Sequence, residues 1–131
     1  MDIRLKLSAL WAARMLSGLQ GDSTRLSDPV AMKKILAGTF TVPVTRELLV
    51  TMSVIFAVPI FMSFLSLTLK DKANRWANRV IGLFFALLDL AFLGWMLFIG
   101  AVGYETVWSF VYLTFTGLIA WYAWRWPEQQ T

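Results

Sequence analysis

The hydrophobic pattern of this chain is a series of long apolar runs separated by short polar stretches. The run over 79–99, RVIGLFFALLDLAFLGWMLFI, is long enough to cross a bilayer, which requires about 20 apolar residues. A second run over 48–69 carries no charged residue, and a third apolar run ends the chain. These runs predict transmembrane helices over about 46–69, 76–99 and 106–126.

The first segment, MDIRLKLSALWAARMLSGLQ, is the most ambiguous of the apolar runs. Arg4 and Lys6 stand at its start, and Arg14 interrupts it. A signal peptide and a surface-lying amphipathic helix are the alternatives to a membrane span. Arg14 and the lack of a clean Ala-x-Ala cleavage site argue against the signal peptide. The segment therefore predicts a first transmembrane helix over about 3–20.

The region between the first two predicted spans is polar and broken by Gly and Pro. Asp28 followed by Pro29 is a typical helix start, and Gly38 is a typical stop. Lys33 and Lys34 lie between them, so the pattern predicts a short interfacial helix over about 28–37. The residues before Pro43 are expected to be extended, because a residue before proline avoids the helix.

Composition supports a membrane protein with a single domain over 1–131. The 131 residues are 58% hydrophobic, and the mean hydropathy is +0.63, which is high for a chain folding in water. The predicted fold class is all-α, an integral membrane four-helix bundle with a short interfacial helix between helices 1 and 2. Lipid is the expected surrounding, and four short helices favour a homo-oligomer or a place in a larger membrane complex.

The chain has no cysteine and no histidine. Without cysteine it has no thiolate to act as a metal ligand or nucleophile. Without histidine it lacks the commonest protein ligand of metals and haem, and the commonest general base. No metal site, cofactor or catalytic residue is predicted, and an enzyme is disfavoured. The net charge of +4 comes from basic residues at the ends of the apolar runs, which indicates membrane topology rather than nucleic-acid binding.

The distribution of basic residues predicts the orientation in the cell (plasma or inner) membrane. Four spans place both termini and the 70–79 turn on one side, and the positive-inside rule assigns that side to the cytoplasm. If the first segment lay flat, three spans would remain. The basic residues of the predicted inner side are Arg4, Lys6, Lys70, Lys72, Arg75, Arg79 and Arg125, against Arg25, Lys33, Lys34 and Arg46 outside. Lys70, Lys72, Arg75 and Arg79 are candidates for lipid-headgroup binding, although an ordinary positive-inside turn explains them as well.

Two charged residues fall in the middle of predicted spans. A carboxylate at the position of Asp89 costs several kcal/mol in the bilayer unless it is paired, hydrated or protonated. Arg14 lies at a similar depth in a helix that should run parallel to the Asp89 helix, so we expect the two to form a bidentate pair. The pair is interpreted either as a structural lock or as a polar binding site at the membrane midplane.

Three further residues are candidates for the same site. Asp22 is predicted to lie where the first helix ends, although a solvated loop carboxylate is the simpler interpretation. Trp11 and Trp95 lie deeper than the interfacial tryptophans and are candidates to line a pocket, with core packing as the alternative.

Three stretches resemble a family of small bacterial four-helix membrane proteins of unknown function. They are 6–11 (KLSALW), 72–78 (KANRWAN) and 121–127 (WYAWRWP). The resemblance implies four membrane helices, including the first, and implies no activity. Arg14 and Asp89 depart from the family pattern. The chain is also loosely similar in size and layout to DoxX-like proteins, which is an analogy of fold alone.

The expected function is to bind or pass a small or lipophilic molecule through the polar centre of the bundle. The alternative is an accessory or structural subunit of a larger membrane complex, in which Arg14 and Asp89 serve only to hold helices together.

Overall fold

The computed structural model describes residues 2–38 and 45–127, and within these ranges every regular element is an α-helix. In chain order the helices are α1 (Ile3–Leu26), α2 (Pro29–Leu36), α3 (Arg46–Thr68), α4 (Asp71–Phe98) and α5 (Tyr104–Trp124). Three of them, α3, α4 and α5, are long and apolar enough to cross a membrane. The prediction of an all-helical membrane protein is confirmed to this extent.

Local sequence signals set several helix ends. The Asp28 side chain accepts a hydrogen bond from the backbone of α2, and Pro29 is the first residue of that helix. The Thr45 side chain caps α3 in the same way, which satisfies a backbone N–H that has no partner inside the helix. Gly38 and Gly100 follow helices with φ of 70° and 72°, a conformation that favours glycine. The predicted helix start at Asp28 is confirmed. The extended stretch predicted before Pro43 lies outside the described residues.

Two predicted boundaries are wrong. The first helix was expected to end near position 20 but continues to Leu26, so Asp22 lies inside α1. The basic turn expected over 70–79 is helical from Asp71 onward. Asn74 and Asn78, which fall within the expected turn, are buried inside α4, where polar side chains on the packed face hide the helical pattern of apolar residues.

The α1 helix packs between α3 and α5, and α5 packs along α4, whereas α3 and α4 contact each other sparsely. At one end of the bundle Arg4 pairs with Asp71, which places the start of α1 beside the α3–α4 connection. At the opposite end the Tyr104 hydroxyl donates to Asp28 at 2.6 Å. We call these the Asp71 end and the Tyr104 end. It follows that α1 and α4 run parallel to each other and antiparallel to α3 and α5.

The apolar core lies towards the Asp71 end. It contains residues from all four long helices and from the segment after α5, namely Leu7, Trp11, Met62, Phe85, Ile119 and Trp126. Gly82 lets α4 and α5 approach closely here, because a Cβ at that position would lie 2.8 Å from Cγ2 of Ile119. A glycine at this position is therefore required by the packing of α4 on α5.

The α3 helix is the least enclosed of the four long helices. Its buried residues, Pro59, Met62 and Ser66, all lie in its second half. The first half, 46–58, carries exposed or half-buried side chains throughout, most of them apolar. An apolar surface of this kind is covered by lipid or by another protein surface rather than by water.

Candidate functional site

The centre of the bundle holds an ion pair between two helices. Arg14 of α1 donates to Asp89 of α4 twice, from Nε to Oδ2 at 2.9 Å and from Nη2 to Oδ1 at 2.9 Å. Both groups are buried, with side-chain exposures of 10% and 5%. The predicted bidentate pair is therefore present, because parallel helices bring residues of similar depth together.

The pair is compensated by neighbours on α5. The Thr116 hydroxyl lies 3.0 Å from Oδ2 of Asp89 and also 3.0 Å from the Tyr112 carbonyl, so its single proton serves one of them at a time. The Tyr112 ring lies 4.3 Å from the Arg14 guanidinium carbon, a cation–π distance. A buried ion pair is tolerated only when such additional contacts offset the cost of removing both charges from water.

Two glycines of α1 make room for this cluster. A Cβ at Gly18 would lie 3.0 Å from Nη1 of Arg14, and a Cβ at Gly21 would lie 1.7 Å from the Tyr112 hydroxyl oxygen. Any side chain at Gly21 would displace the Tyr112 ring that covers the guanidinium. The sequence analysis missed Gly18, Gly21, Tyr112 and Thr116. The recurrence of small residues on the Arg14 side of α1 was the available signal.

The Arg14 guanidinium keeps one unused nitrogen. Within residues 2–38 and 45–127, no group accepts a hydrogen bond from Nη1. Phe92 and Trp108 lie next to the Tyr112 ring, each with ring centroids 6.4 Å from it. The arrangement can therefore offer a charged donor beside aromatic surface, which suits a lipophilic molecule that carries an acceptor oxygen.

Trp11 is fully buried and belongs to the packed core. Its Nε1 donates to Oδ1 of Asn78 at 2.8 Å, and its ring meets the Phe85 ring edge-on at a centroid distance of 5.7 Å. Asn78 donates in turn to Oδ1 of Asn74 at 2.7 Å, and Asn74 donates to the Ser66 carbonyl at 2.7 Å. This polar chain links α1, α3 and α4. These contacts match the interpretation that Trp11 packs in the core of the protein.

In the part of the chain that the structure describes, no hydrogen bond, ion pair or ring contact joins Asp22 or Trp95 to Arg14 or Asp89. Asp22 has a side chain 59% exposed and lies 3.5 Å from Arg25 on the same helix. Trp95 is 49% exposed and stacks on Phe98 at a centroid distance of 6.0 Å. Trp95 is therefore partly exposed on α4 whereas Trp11 is buried, and a pocket lined by both stays a prediction.

The four basic residues proposed to contact headgroups fall into two classes. Lys70 and Lys72 are exposed, whereas Arg75 and Arg79 are buried. Arg79 donates to the carbonyls of Ala123 and Trp126, at 2.8 and 2.9 Å, and so ties α4 to the end of α5. These two arginines face inward because α4 begins at Asp71 and not after the basic stretch.

Comparisons with protein-family models, with curated proteins and with solved structures find no match. The resemblance carried by 6–11, 72–78 and 121–127 therefore stays a prediction. Function is inferred below from the geometry of the chain alone.

Proposed function

We propose that α1 crosses the membrane with α3, α4 and α5, that α2 lies at the interface, and that both termini are cytoplasmic. The α1 helix packs between two helices that qualify as spans. Its 24 residues give a length of about 36 Å at 1.5 Å per residue, enough for a hydrocarbon core of about 30 Å. The seven basic residues of the Asp71 end support a cytoplasmic position of that end in the cell membrane.

This topology is testable by labelling, because the chain contains no cysteine. Lys33 and Lys72 are exposed at opposite ends of the bundle. We expect an impermeant maleimide added to intact cells to label K33C and to leave K72C unlabelled until the membrane is opened. Labelling of K72C in intact cells would contradict the proposed orientation, and labelling of both would contradict a single membrane span, α3, between them.

Within this bundle we propose that the protein binds a small lipophilic molecule with an acceptor oxygen at the Arg14–Asp89 centre. The observation that carries the proposal is the buried bidentate pair with Nη1 of Arg14 unused beside aromatic rings. The sparse contact between α3 and α4 supports lateral entry from the bilayer. Passage through the bundle would additionally require α3 to move, because the core closes the Asp71 end.

Asp89 orients the arginine in this proposal. Its two oxygens already accept from Arg14, and Thr116 is within hydrogen-bond distance of one of them. Arg14 supplies recognition, because a guanidinium binds oxygen acceptors through donors in a fixed plane.

Native mass spectrometry of protein released directly from membranes tests the proposal. Wild-type protein should carry a bound small molecule that is lost from R14Q and D89N. The matched controls are R25Q and D22N, which change the same two residue types in the exposed pair of the same helix. Equal occupancy in wild type and in R14Q would contradict the proposal.

The exposed apolar face of α3 favours a second candidate function, that of an accessory subunit or homo-oligomer. More of this helix is exposed than of any other long helix, which fits a surface that another membrane protein covers. In this case the ion pair only holds α1 in the bundle. Co-purification of unrelated chains in fixed stoichiometry, with no bound small molecule, would favour this function over the first.

A further inference from the structure

A second charged site lies at the Asp71 end, remote from the Arg14–Asp89 pair. Asp71, Arg75 and Arg79 follow one another at four-residue spacing and so share one face of α4. Asp71 pairs with Arg4 at 3.0 Å, and Arg79 donates to two carbonyls. Arg75, between them, is only 4% exposed, yet its Nε and Nη1 have no hydrogen-bond partner among the described residues. A buried guanidinium without an anion is strongly unfavourable, so its environment is incomplete.

Two other buried donors have no hydrogen-bond partner among the described residues. Both belong to residues that contact the neighbours of Arg75 on α4. They are Nε of Arg4 and Nε1 of Trp126. Arg4 is tied to Asp71, one turn before Arg75, and also donates to the Leu69 carbonyl. The Trp126 carbonyl is bound by Arg79, one turn after Arg75. The unpartnered groups of all three side chains are therefore donors, and Arg4 and Trp126 contact the residues one turn before and one turn after Arg75 on α4.

We propose that this cluster binds a phosphate group, with Arg75 as the principal ligand and Arg4 and Trp126 as further donors. Phosphate presents several acceptor oxygens and a negative charge, and arginine binds it through two parallel hydrogen bonds. Lys70 and Lys72 are exposed at the rim and add positive potential. Arg79, one turn after Arg75, lies 5.1 Å from the centroids of the Trp76 and Trp124 rings, which are exposed as in an interfacial aromatic belt. That depth matches the phosphates of a phospholipid leaflet, and free phosphate shares the same chemistry.

The test compares wild type with R75Q and with R125Q. Arg125 lies at the same end but is exposed over the Trp121 ring, so R125Q removes the same charge outside the cluster. Each protein, in lipid-free detergent micelles, is titrated with phosphatidylglycerol and separately with inorganic phosphate, with bound mass read by native mass spectrometry. We expect R75Q to bind about tenfold more weakly or worse, because it loses charge-assisted hydrogen bonds, and R125Q to bind as wild type.

The two titrations separate the sources of the phosphate group. Binding of phosphatidylglycerol without binding of inorganic phosphate assigns a lipid headgroup, whereas binding of inorganic phosphate assigns a free anion. Equal affinity of wild type and R75Q for both probes would overturn the proposal. If R75Q does not fold, W126F decides, since it removes the Nε1 donor and keeps a smaller aromatic ring at that position. Weaker binding by folded W126F supports the site, and unchanged binding overturns it.

Glu128, which follows Pro127 in the sequence, is a competing anion supplied by the chain itself. We expect E128Q to keep the affinity of wild type for phosphate. If E128Q and R75Q instead lower the thermal midpoint equally, and wild type binds neither probe, a carboxylate of the chain neutralises Arg75 and the proposal fails. The outcome is independent of the Arg14–Asp89 site, whose variants should not change phosphate binding.

Discussion

The two ends of this bundle are built differently. At the Asp71 end, buried tryptophan, asparagine and arginine side chains cross-link the helices, as in the chain from Trp11 through Asn78 to Asn74. At the Tyr104 end the first half of α3 has little protein around it. The Arg14–Asp89 pair lies between these regions, and it joins two helices whose backbones hardly contact each other.

This difference indicates that the Asp71 end of the bundle is held rigidly and that the Tyr104 end has more freedom to open. Polar groups in hydrocarbon must find partners inside the protein, so a network such as that of the Asp71 end fixes the helices relative to one another. The Tyr104 end has fewer such constraints, and α3 can move there without breaking a buried hydrogen bond. The ion pair thus lies between the cross-linked half of the bundle and the half in which α3 is less enclosed.

The largest expected effect tests the boundary between the two regions. We expect D89N and R14Q each to lower the free energy of unfolding in detergent by about 3 to 5 kcal/mol, because each leaves an uncompensated buried charge or polar group. The exposed pair on the same helix is the control. D22N and R25Q should each cost less than about 1 kcal/mol, since exposed ion pairs contribute little. Similar costs for the two pairs would show that Arg14 and Asp89 are solvated.

The next effect sharpens the account of the Asp71 end. N78A should lower the free energy of unfolding by about 2 to 3 kcal/mol, because Nε1 of Trp11 and the Asn74 side chain both lose a buried partner. S53A in the open half of α3 is the matched control, since that hydroxyl is exposed and bonds only within its own helix. We expect it to change stability by less than about 0.5 kcal/mol. A large effect of S53A would contradict the contrast between the halves.

The Arg14–Asp89 pair could be predicted from the sequence, whereas the buried polar network of the Asp71 end could not. The pair is predictable because Arg14 and Asp89 are single charged residues within apolar runs. Parallel helices then bring residues of similar depth in the membrane next to each other. Asn74 and Asn78 fall in the stretch over 70–79 for which the sequence predicts a turn, because a polar stretch rich in Lys and Arg resembles one. Their burial depends on contacts with α1 and α3 that lie far away in the chain. The position of Arg75 was mistaken for the same reason.

A smaller effect probes the close approach of Gly21 to the Tyr112 ring, beyond the ion pair towards the Tyr104 end. G21A should cost about 1 to 3 kcal/mol, because the new Cβ would lie 1.7 Å from the Tyr112 hydroxyl oxygen and the ring must move. G94A is the control within α4, because a Cβ there meets nothing within 4 Å. It should be neutral or stabilising by up to about 1 kcal/mol, as for glycine to alanine in a helix. Thermal midpoints in the same detergent measure both, and equal shifts would contradict the packing of Tyr112 on α1.

The smallest effect concerns the Tyr104 end and pH. The hydrogen bond from Tyr104 to Asp28 is the largest cause that lowers the pKa of Asp28 below 3.8, so this carboxylate is stabilised in its ionised form. Such a group contributes stability above its unfolded pKa and loses it as pH falls through the lower folded pKa. We expect Y104F to be slightly less stable than wild type from pH 7 down to about 4, with the difference vanishing below that. A difference that grows on acidification would contradict this sign.

The most direct test of the central claim replaces both members of the ion pair by apolar residues of similar size. The R14M/D89L protein should fold with nearly wild-type stability, because a buried ion pair can be exchanged for packed apolar groups at little cost. Native mass spectrometry should then find this folded protein without the small molecule that wild type carries. If folded R14M/D89L retains the same molecule at the same occupancy, the Arg14–Asp89 centre is not the binding site.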